Sequence, residues 1–225
     1  MKTRLVLLPG LNGSGTLFAP LLEHLSPALE VQTLSLPTQG KQDYQTLADC
    51  LKHQLGDRPF VLLGESFSGP LAYRLARKNP PGLQGVIFAA SFLSQPHPLL
   101  ALAKYLPLPK ALLKHNSLVR LFCLDQSSNA ALVELLQQEI EALPATLLRA
   151  RLASLNDLRA PAGCISLPAL HLLPSRDRLV TRRAATNLQK HCSQLQRVTI
   201  DGPHFLLQSQ PQACARAVER FIETL

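Results

Sequence analysis

The sequence contains no tryptophan and only three tyrosines among its 225 residues. It therefore lacks the aromatic platforms on which proteins stack single-stranded nucleic acids. The formal net charge of +8 is not concentrated in a block of lysine and arginine interleaved with aromatic residues, so we expect no nucleic acid partner. This charge fits a solvated basic surface, or a surface that attracts an anionic substrate or an acidic carrier protein.

Long apolar runs are also missing. No run approaches the roughly 18 residues that a membrane-spanning helix needs, and the apolar run near the start is too short for a signal peptide. The cysteines are odd in number and no two have the spacing of metal ligands; they are Cys50, Cys123, Cys164, Cys192 and Cys214. We therefore expect reduced thiols in a cytoplasmic protein, with no bound metal and no membrane span.

Hydrophobic residues make up 46% and charged residues 17% of the chain, which is typical of a globular domain. Apolar, partly β-branched runs predict strands over Arg4–Leu8, Leu29–Leu34, Phe60–Leu63, Gly85–Ala89, Ala169–Leu173 and Arg197–Ile200. Helical patterns separate most of them, over Leu17–Leu25, Tyr44–Leu55, Phe67–Lys78, Arg182–His191 and Ala213–Thr224. This alternation predicts an α/β fold with a mostly parallel sheet of about six strands. The functional sites of such sheets lie at the carboxyl ends of the strands.

One long segment interrupts the alternation. Residues 94–162 contain no convincing strand, but prolines and then leucines at helical spacing, such as Leu132, Leu135 and Leu136. Such spacing first of all indicates packing. Because the segment follows the fourth predicted strand, it also predicts a helical cap inserted over the carboxyl ends of the strands. We expect one domain, in which residues 1–93 and 163–225 form the core and the cap walls a pocket with leucine.

A serine follows the third predicted strand, in the sequence GESFSG at residues 64–69. Its small neighbours allow a sharp turn from strand to helix, which is the local design of a nucleophile elbow. Ser68 stands where the Gly-x-Ser-x-Gly motif has its second glycine, with Gly69 one position later. Ser66 is therefore the candidate nucleophile. The alternative is an ordinary turn in which Ser66 caps the helix.

The candidate base is His204, because it follows the last predicted strand on a loop that contains Gly202 and Pro203. Three other histidines fall in or at the ends of helices and are expected to be solvated, namely His24, His53 and His191. His171 lies inside a predicted strand, where we expect an interior histidine with satisfied hydrogen bonds. His97 and His115 lie in the predicted cap and are weaker candidates for substrate contact.

The candidate acid is Asp177, in the loop after the fifth predicted strand. The order Ser66, Asp177, His204 is the order of a triad on this kind of sheet. Arg176 and Arg178 flank the aspartate, and we expect them to hold its carboxylate ionised if they lie close. The alternative is a helix cap or a partner for these arginines. Weaker candidate acids, none of which follows a strand at the right place in the order, are Asp125, Asp157 and Asp201.

A glycine-rich loop, residues 8–15, follows the first predicted strand. Its glycines stand at positions 10, 13 and 15, which is not dinucleotide-binding spacing, and it has no lysine for a phosphate loop. We interpret it as an oxyanion loop. The backbone amide of Leu11 and that of Phe67, next to the nucleophile, would then bind the oxyanion.

These four elements together resemble the α/β-hydrolase family. Leu8 to Leu11 is similar to its oxyanion turn, with Pro9 where histidine is common, and residues 64–69 are similar to its nucleophile elbow. Residues 175–177 and 202–205 resemble its acid and histidine loops, and residues 156–159 resemble small members that act on acyl esters. The resemblance implies a minimal α/β-hydrolase fold and a Ser66–His204–Asp177 triad that needs no cofactor.

The resemblance leaves several functions open. The first hypothesis is a serine hydrolase of aliphatic carboxylic esters. Within it, a pimeloyl-carrier-protein methyl ester esterase is one specific form, served by Arg149, Arg151 and Arg159 if they face an acidic carrier. The alternatives are a thioesterase, an acyltransferase with the same triad, and a non-catalytic binding protein on this fold. Residues predicted to line the substrate pocket are Asn12, Phe92, Leu106 and Phe205.

Overall fold

The computed structural model describes residues 3–100, 116–125 and 130–225. Its six strands are all parallel and form one sheet in the order β2-β1-β3-β4-β5-β6. They are β1 (Arg4–Leu8), β2 (Glu30–Thr33), β3 (Phe60–Glu65), β4 (Leu83–Ala89), β5 (Ile165–Pro174) and β6 (Cys192–Ile200). Every residue of β3 is buried, as expected for a central parallel strand that is covered on both faces.

Helices cover both faces of this sheet. They are α1 (Ala19–Leu22), α2 (Tyr44–Lys52), α3 (Gly69–Arg77), α4 (Asn116–Phe122), α5 (Ala130–Ala142), α6 (Ala145–Asn156), α7 (Arg182–Asn187), α8 (Leu206–Ser209) and α9 (Pro211–Glu223). The apolar sides of α2, α3 and α7 join one large core cluster. Those of α1, α8 and α9 join a second cluster on the opposite face. The predicted fold class, a minimal α/β-hydrolase fold, is therefore confirmed.

The sequence-based boundaries agree with the structure most closely at the centre of the sheet. β1 has the predicted bounds, whereas β5 and β6 each begin several residues earlier than predicted. The helix predicted over Leu17–Leu25 is a short 3-10 turn, Thr16–Phe18, followed by α1. None of the helices in the described part of the chain is both long and apolar enough to span a bilayer.

The strand order reverses direction next to β1. The chain passes from β1 to β2 on one side and then returns to place β3 on the other side of β1. At such a switch point the loops that follow the two neighbouring strands separate, which leaves a crevice at their carboxyl ends. The loop after β1 and the turn after β3 therefore border this crevice.

The three described helices between β4 and β5 are α4, α5 and α6. Apolar side chains of α4 and α5 pack with Leu17 in a small separate cluster, so this segment contacts the core near the loop after β1. The predicted pocket residue Leu106 and the candidate His115 lie outside the described residues. The division of the chain into core and cap stays a prediction.

Candidate active site

Ser66 lies at the sharp turn between β3 and α3. Its backbone φ angle is +45°, which a residue other than glycine adopts only where the surrounding structure holds it. Two glycines make room for the turn. A Cβ on Gly64 would lie 2.5 Å from the Ser68 carbonyl oxygen, and one on Gly69 would lie 1.7 Å from Ser91 Oγ. Ser91 Oγ in turn donates to the Ser66 carbonyl at 2.8 Å, so the strained turn is held from the end of β4.

Ser68, the departure from the glycine motif, has a defined contact. Its side chain is fully buried, and its hydroxyl donates a hydrogen bond to the carbonyl of Pro9. Serine at this position therefore joins the turn at Ser66 directly to the loop after β1.

The structure brings Ser66, His204 and Asp177 together. Ser66 Oγ lies 2.9 Å from His204 Nε2, and His204 Nδ1 lies 2.8 Å from Asp177 Oδ2. Because an ionised carboxylate can only accept, Nδ1–H donates to Asp177 and Nε2 is left to accept from the Ser66 hydroxyl. This arrangement presents a serine oxygen whose proton can pass to a buried imidazole.

The pKa of His204 is raised from its ordinary value of 6.5. Burial alone would lower the pKa, but the charge and hydrogen bond of Asp177 and the charge of Glu65 outweigh burial. The pKa of Asp177 is lowered; burial opposes this shift, and the His204 charge and hydrogen bond and the amides of Val180 and Leu179 produce it. The two partners thus favour each other's charged forms.

The arginines beside Asp177 pair with other groups, so the close approach on which our expectation depended is not found among the described residues. Arg176 pairs with Asp201 and, at 2.7 Å, with Asp125. Arg178 donates to the Leu121 carbonyl at 2.8 Å. The turn points both guanidiniums outward, and the Asp177 carboxylate turns inward to its own loop amides and the imidazole.

Sequence reasoning missed Glu65 and Gln208, which lie under the site. Glu65 is buried and accepts hydrogen bonds from the Gly10 amide at 3.3 Å and from Gln208 Nε2 at 2.8 Å. Burial raises the pKa of Glu65, and the hydrogen bond from Gln208, the His204 charge and the Gly10 amide partly oppose this. A charged residue at the end of an otherwise apolar strand was the available signal for Glu65.

His171 is an interior histidine, as predicted, but its hydrogen bonds are not satisfied. Its side chain is fully buried on β5, and neither ring nitrogen has a partner among the described residues. Burial, the Arg197 charge and, in opposition, the Asp177 charge bring its pKa to about 4. Its register partners in the sheet are Phe88 on β4 and Arg197 on β6, and neither forms a hydrogen bond with the ring.

The predicted pocket residues occupy different surroundings. Asn12 is half-buried, and its amide donates to Glu139 of α5 and to Ser14. Phe205 is half-buried and packs edge-on to the His204 ring at a centroid distance of 5.6 Å. Phe92 is only 2% exposed and belongs to the main core cluster. These placements leave Asn12 and Phe205 as the better pocket candidates.

Arg151 does not face outward, which overturns its predicted contact with a carrier. It is completely buried on α6, whereas Arg149 and Arg159 are exposed. Its spacing from Leu147 and Leu155, four residues on either side, was the overlooked signal, because all three lie on the buried face of α6. The exposed Arg159 instead lines a cleft of about 490 Å³ with three more cations. We call this the basic cleft; its cations are Arg74, Arg77, Lys78 and Arg159.

The site consists of a hydroxyl, an imidazole and a carboxylate in sequence, beside the loop after β1, whose Leu11 N–H has no acceptor among the described residues. This chemistry suits transfer of an acyl group to serine. Among the described residues, no group of three or more His, Cys, Asp or Glu is placed to hold a metal ion.

Comparison with known proteins identifies the class. The sequence matches the alpha/beta hydrolase family over residues 5–217, so the chain belongs to this family. The biotin biosynthesis bifunctional protein BioHC of Cellvibrio japonicus (strain Ueda107) is 32% identical over 241 residues. That alignment covers 98% of this chain and 48% of BioHC, so the chain spans about half the length of this relative.

Solved structures show the same fold. A thermophilic esterase from Thermogutta terrifontis has a TM-score of 0.82 at 19% identity, with 100% of this chain and 90% of that chain covered. The enol-lactonase from Burkholderia xenovorans LB400 has a TM-score of 0.84 at 16% identity, with 99% and 92% covered. At such identities the likeness establishes the architecture alone.

Proposed function

We propose that the protein is a serine hydrolase that cleaves carboxylic esters of aliphatic acyl groups. The observation that carries the proposal is the continuous hydrogen-bond chain from Ser66 through His204 to Asp177. A hydroxyl, a base and an orienting acid in this order are what acyl transfer to serine requires.

The proposed reaction proceeds in two halves. Ser66 Oγ attacks the ester carbonyl carbon while its proton passes to His204 Nε2, and the tetrahedral intermediate then expels the alcohol, which takes that proton. Water next attacks the acyl-serine, gives a proton to Nε2, and the acid leaves as the proton returns to Ser66. Asp177 stabilises the imidazolium in both halves, and no cofactor takes part.

The proposed oxyanion donors are the amides of Leu11 and Phe67. Phe67 N–H belongs to the first turn of the 3-10 segment Ser66–Ser68, where amides have no partner within the helix. No described residue accepts a hydrogen bond from Leu11 N–H. Phe67 follows the nucleophile directly in the chain, and Leu11 belongs to the loop after β1 that borders the switch-point crevice.

For the substrate, the apolar side chains of the cap favour an aliphatic acyl group. The 32% identical relative BioHC is a bifunctional protein of biotin biosynthesis, which favours the pimeloyl hypothesis among the acyl groups that fit. We propose an ester presented by an acidic acyl carrier protein, with Arg149 and the basic cleft as the surface that attracts it.

The test is a panel of acyl methyl esters and thioesters of graded chain length, free and carrier-bound, assayed with the wild type and with Ser66→Ala. We expect Ser66→Ala to lose several orders of magnitude in kcat and to lose labelling by a fluorophosphonate probe. Ser166→Ala, at the exposed start of β5, is the matched control and should retain both. A folded Ser66→Ala variant with a tenth of the wild-type activity would contradict the mechanism.

The same panel distinguishes the alternatives. Preference for thioesters would indicate a thioesterase, and acyl transfer to an added alcohol in place of hydrolysis would indicate an acyltransferase. If the protein neither turns over any ester nor is labelled at Ser66, a binding protein is indicated.

A further inference from the structure

The buried arginine of the cap, Arg151, has no part in the mechanism above. Its guanidinium donates to the carbonyls of Leu11 at 2.8 Å, Asn12 at 2.9 Å and Pro37 at 3.1 Å, and to Gln42 Oε1 at 3.1 Å. No described carboxylate pairs with it. A buried charge is costly unless polar groups surround it, and here neutral oxygens alone do so. Two of those oxygens belong to the loop after β1.

Other bonds fix the rest of that loop. Ser68 holds the Pro9 carbonyl, Glu65 holds the Gly10 amide, and Gly13 N donates back to the Gly10 carbonyl at 3.0 Å. With Arg151 on the Leu11 and Asn12 carbonyls, the peptides on both sides of Leu11 are fixed. The Leu11 amide is left free of any described acceptor.

Gly13 shows that the loop is shaped around the guanidinium. Its φ is +77°, and a Cβ there would lie 2.3 Å from Arg151 Nη1. The loop therefore approaches the guanidinium more closely than any side chain at position 13 would permit. This observation is independent of the hydrogen bonds and points to the same close fit.

We infer that Arg151 is a positioning residue that holds the Leu11 amide in place for the oxyanion. The inference rests on the proposed function. A donor matters most when negative charge develops in the transition state, and a small displacement weakens it there more than in the ground state. The positive charge of Arg151, away from water, also favours the oxyanion. Loss of Arg151 should therefore lower kcat and leave KM nearly unchanged.

The experiment compares the full-length wild type with Arg151→Met, which keeps the stem and removes the guanidinium. An exposed arginine on α9, outside the site and the basic cleft, provides the control, Arg216→Met, assayed with the same free ester. We measure kcat, KM and inhibition by an alkyl trifluoromethyl ketone, which forms an oxyanion on the nucleophilic serine. Because removal of one oxyanion donor typically costs 10²–10³ in kcat, we expect roughly 10- to 100-fold lower kcat when the donor is misplaced. Inhibitor affinity should fall in proportion and KM should change less than about threefold.

A purely structural role gives a different result. If Arg151→Met is folded and keeps wild-type kcat and inhibitor affinity, or if KM alone rises, the inference is overturned. If Arg151→Met does not fold, Arg151→Lys decides, because it keeps charge and stem but reaches fewer carbonyls. Lower kcat with matching loss of inhibitor affinity supports the inference, and unchanged values overturn it. Failure of the proposed function is seen separately, as ester cleavage that survives Ser66→Ala.

Discussion

Asp177 is surrounded by donors that keep it ionised. Leu179 and Val180 each donate a backbone amide to Oδ1 at 2.9 Å, and His204 donates to Oδ2 at 2.8 Å. Both oxygens of the carboxylate are therefore used, one for its own loop and one for the imidazole. The carboxylate fixes the tautomer in which Nε2 faces the serine.

We predict that Asp177→Asn lowers kcat by up to ~10⁴, because the amide favours the wrong histidine tautomer. Steady-state kinetics on a short-chain ester measure the loss, and a thermal melt checks the fold. The control is Asp201→Asn, an exposed carboxylate that binds Arg176 and Ser175 and should keep near wild-type kcat. Near wild-type activity of Asp177→Asn would show that the acid is misassigned.

Glu65 holds the Gly10 amide of the loop after β1 by a hydrogen bond, but it acts on the His204 imidazole through its charge. It contributes to the raised pKa of His204 and touches neither the hydroxyl nor the imidazole by hydrogen bond. Only the neutral imidazole accepts the serine proton, so kcat/KM should fall as the pH decreases through the His204 pKa, which lies above 6.5.

Glu65→Gln should therefore shift the acid limb of the kcat/KM profile to lower pH, because removal of the negative charge lowers the His204 pKa. The profile is measured between pH 5 and 9 beside Glu134→Gln, an exposed substitution on α5 that should leave the limb in place. A limb that stays fixed or moves to higher pH in Glu65→Gln contradicts the prediction.

At the scale of the element, β5 leads into the loop of the candidate acid and carries a buried histidine without hydrogen-bond partners among the described residues. It ends at Pro174, just before the loop of Asp177, and it carries His171 in its buried middle. A buried polar group without a partner costs about 1–3 kcal/mol. The strand thus contains a local loss of stability close to the site.

His171→Leu should raise the free energy of unfolding at pH 7 by about 1 kcal/mol, since it removes that cost at similar volume. The histidine stays neutral in the fold to a pKa of about 4 but gains a proton near 6.5 when unfolded. Wild-type stability should therefore fall by up to roughly 3 kcal/mol as the pH drops from 7 to 4, and His171→Leu should lack that part. Urea unfolding at both pH values measures it, with His53→Gln, at an exposed helix end, as control. An equal pH response in wild type and His171→Leu contradicts the prediction.

The apolar pattern of the sequence predicts the central strands better than it predicts the beginnings of β5 and β6. β1 and β3 were found because their apolar runs are continuous. β6 is an edge strand whose burial pattern is mostly exposed, so its first half, with Ser193 and Gln194, carries no apolar signal. The start of β5 was missed because Pro168 lies at an irregular register with β6, where a strand tolerates proline.

The site was predictable where local sequence carries the chemistry. Ser66, Asp177 and His204 each follow a strand, and parallel strands bring their ends together. The contacts of Arg151 could not be predicted, because they join α6 to loops more than a hundred residues away in the chain. Such contacts depend on tertiary packing, which no local pattern encodes.

At the scale of the molecule, some of the surface cations have partners and others are exposed to solvent. The cations of the basic cleft are partly engaged: Lys78 pairs with Asp49, and Arg77 donates to the Cys164 carbonyl. Arg149 on α6 and Arg159 just after it are exposed. A field from these groups would act on an acidic carrier and not on a small neutral ester.

We predict that Arg149→Glu/Arg159→Glu lowers kcat/KM for a carrier-bound ester by roughly tenfold at low salt, with little change for the free ester, since steering affects the encounter. The difference should shrink as ionic strength rises. Arg216→Glu/Arg220→Glu, two exposed arginines on α9, is the charge-matched control. If kcat/KM for the carrier-bound ester falls equally in both double variants, or in neither, Arg149 and Arg159 do not attract the carrier and the prediction is contradicted.

The fit between Gly13 and Arg151 restricts how this protein can be recombined. A segment grafted in place of α6 from a relative without an arginine at position 151 would leave four oxygens without this donor, and any side chain at position 13 would collide with the native Arg151. Removal of the arginine relieves the collision but not the positive φ of Gly13. Position 13 therefore stays restricted after the arginine is lost, whereas position 151 becomes free to vary. Chimeras and diverging lineages can thus lose this pairing by a change at position 151 far more easily than by a change at position 13.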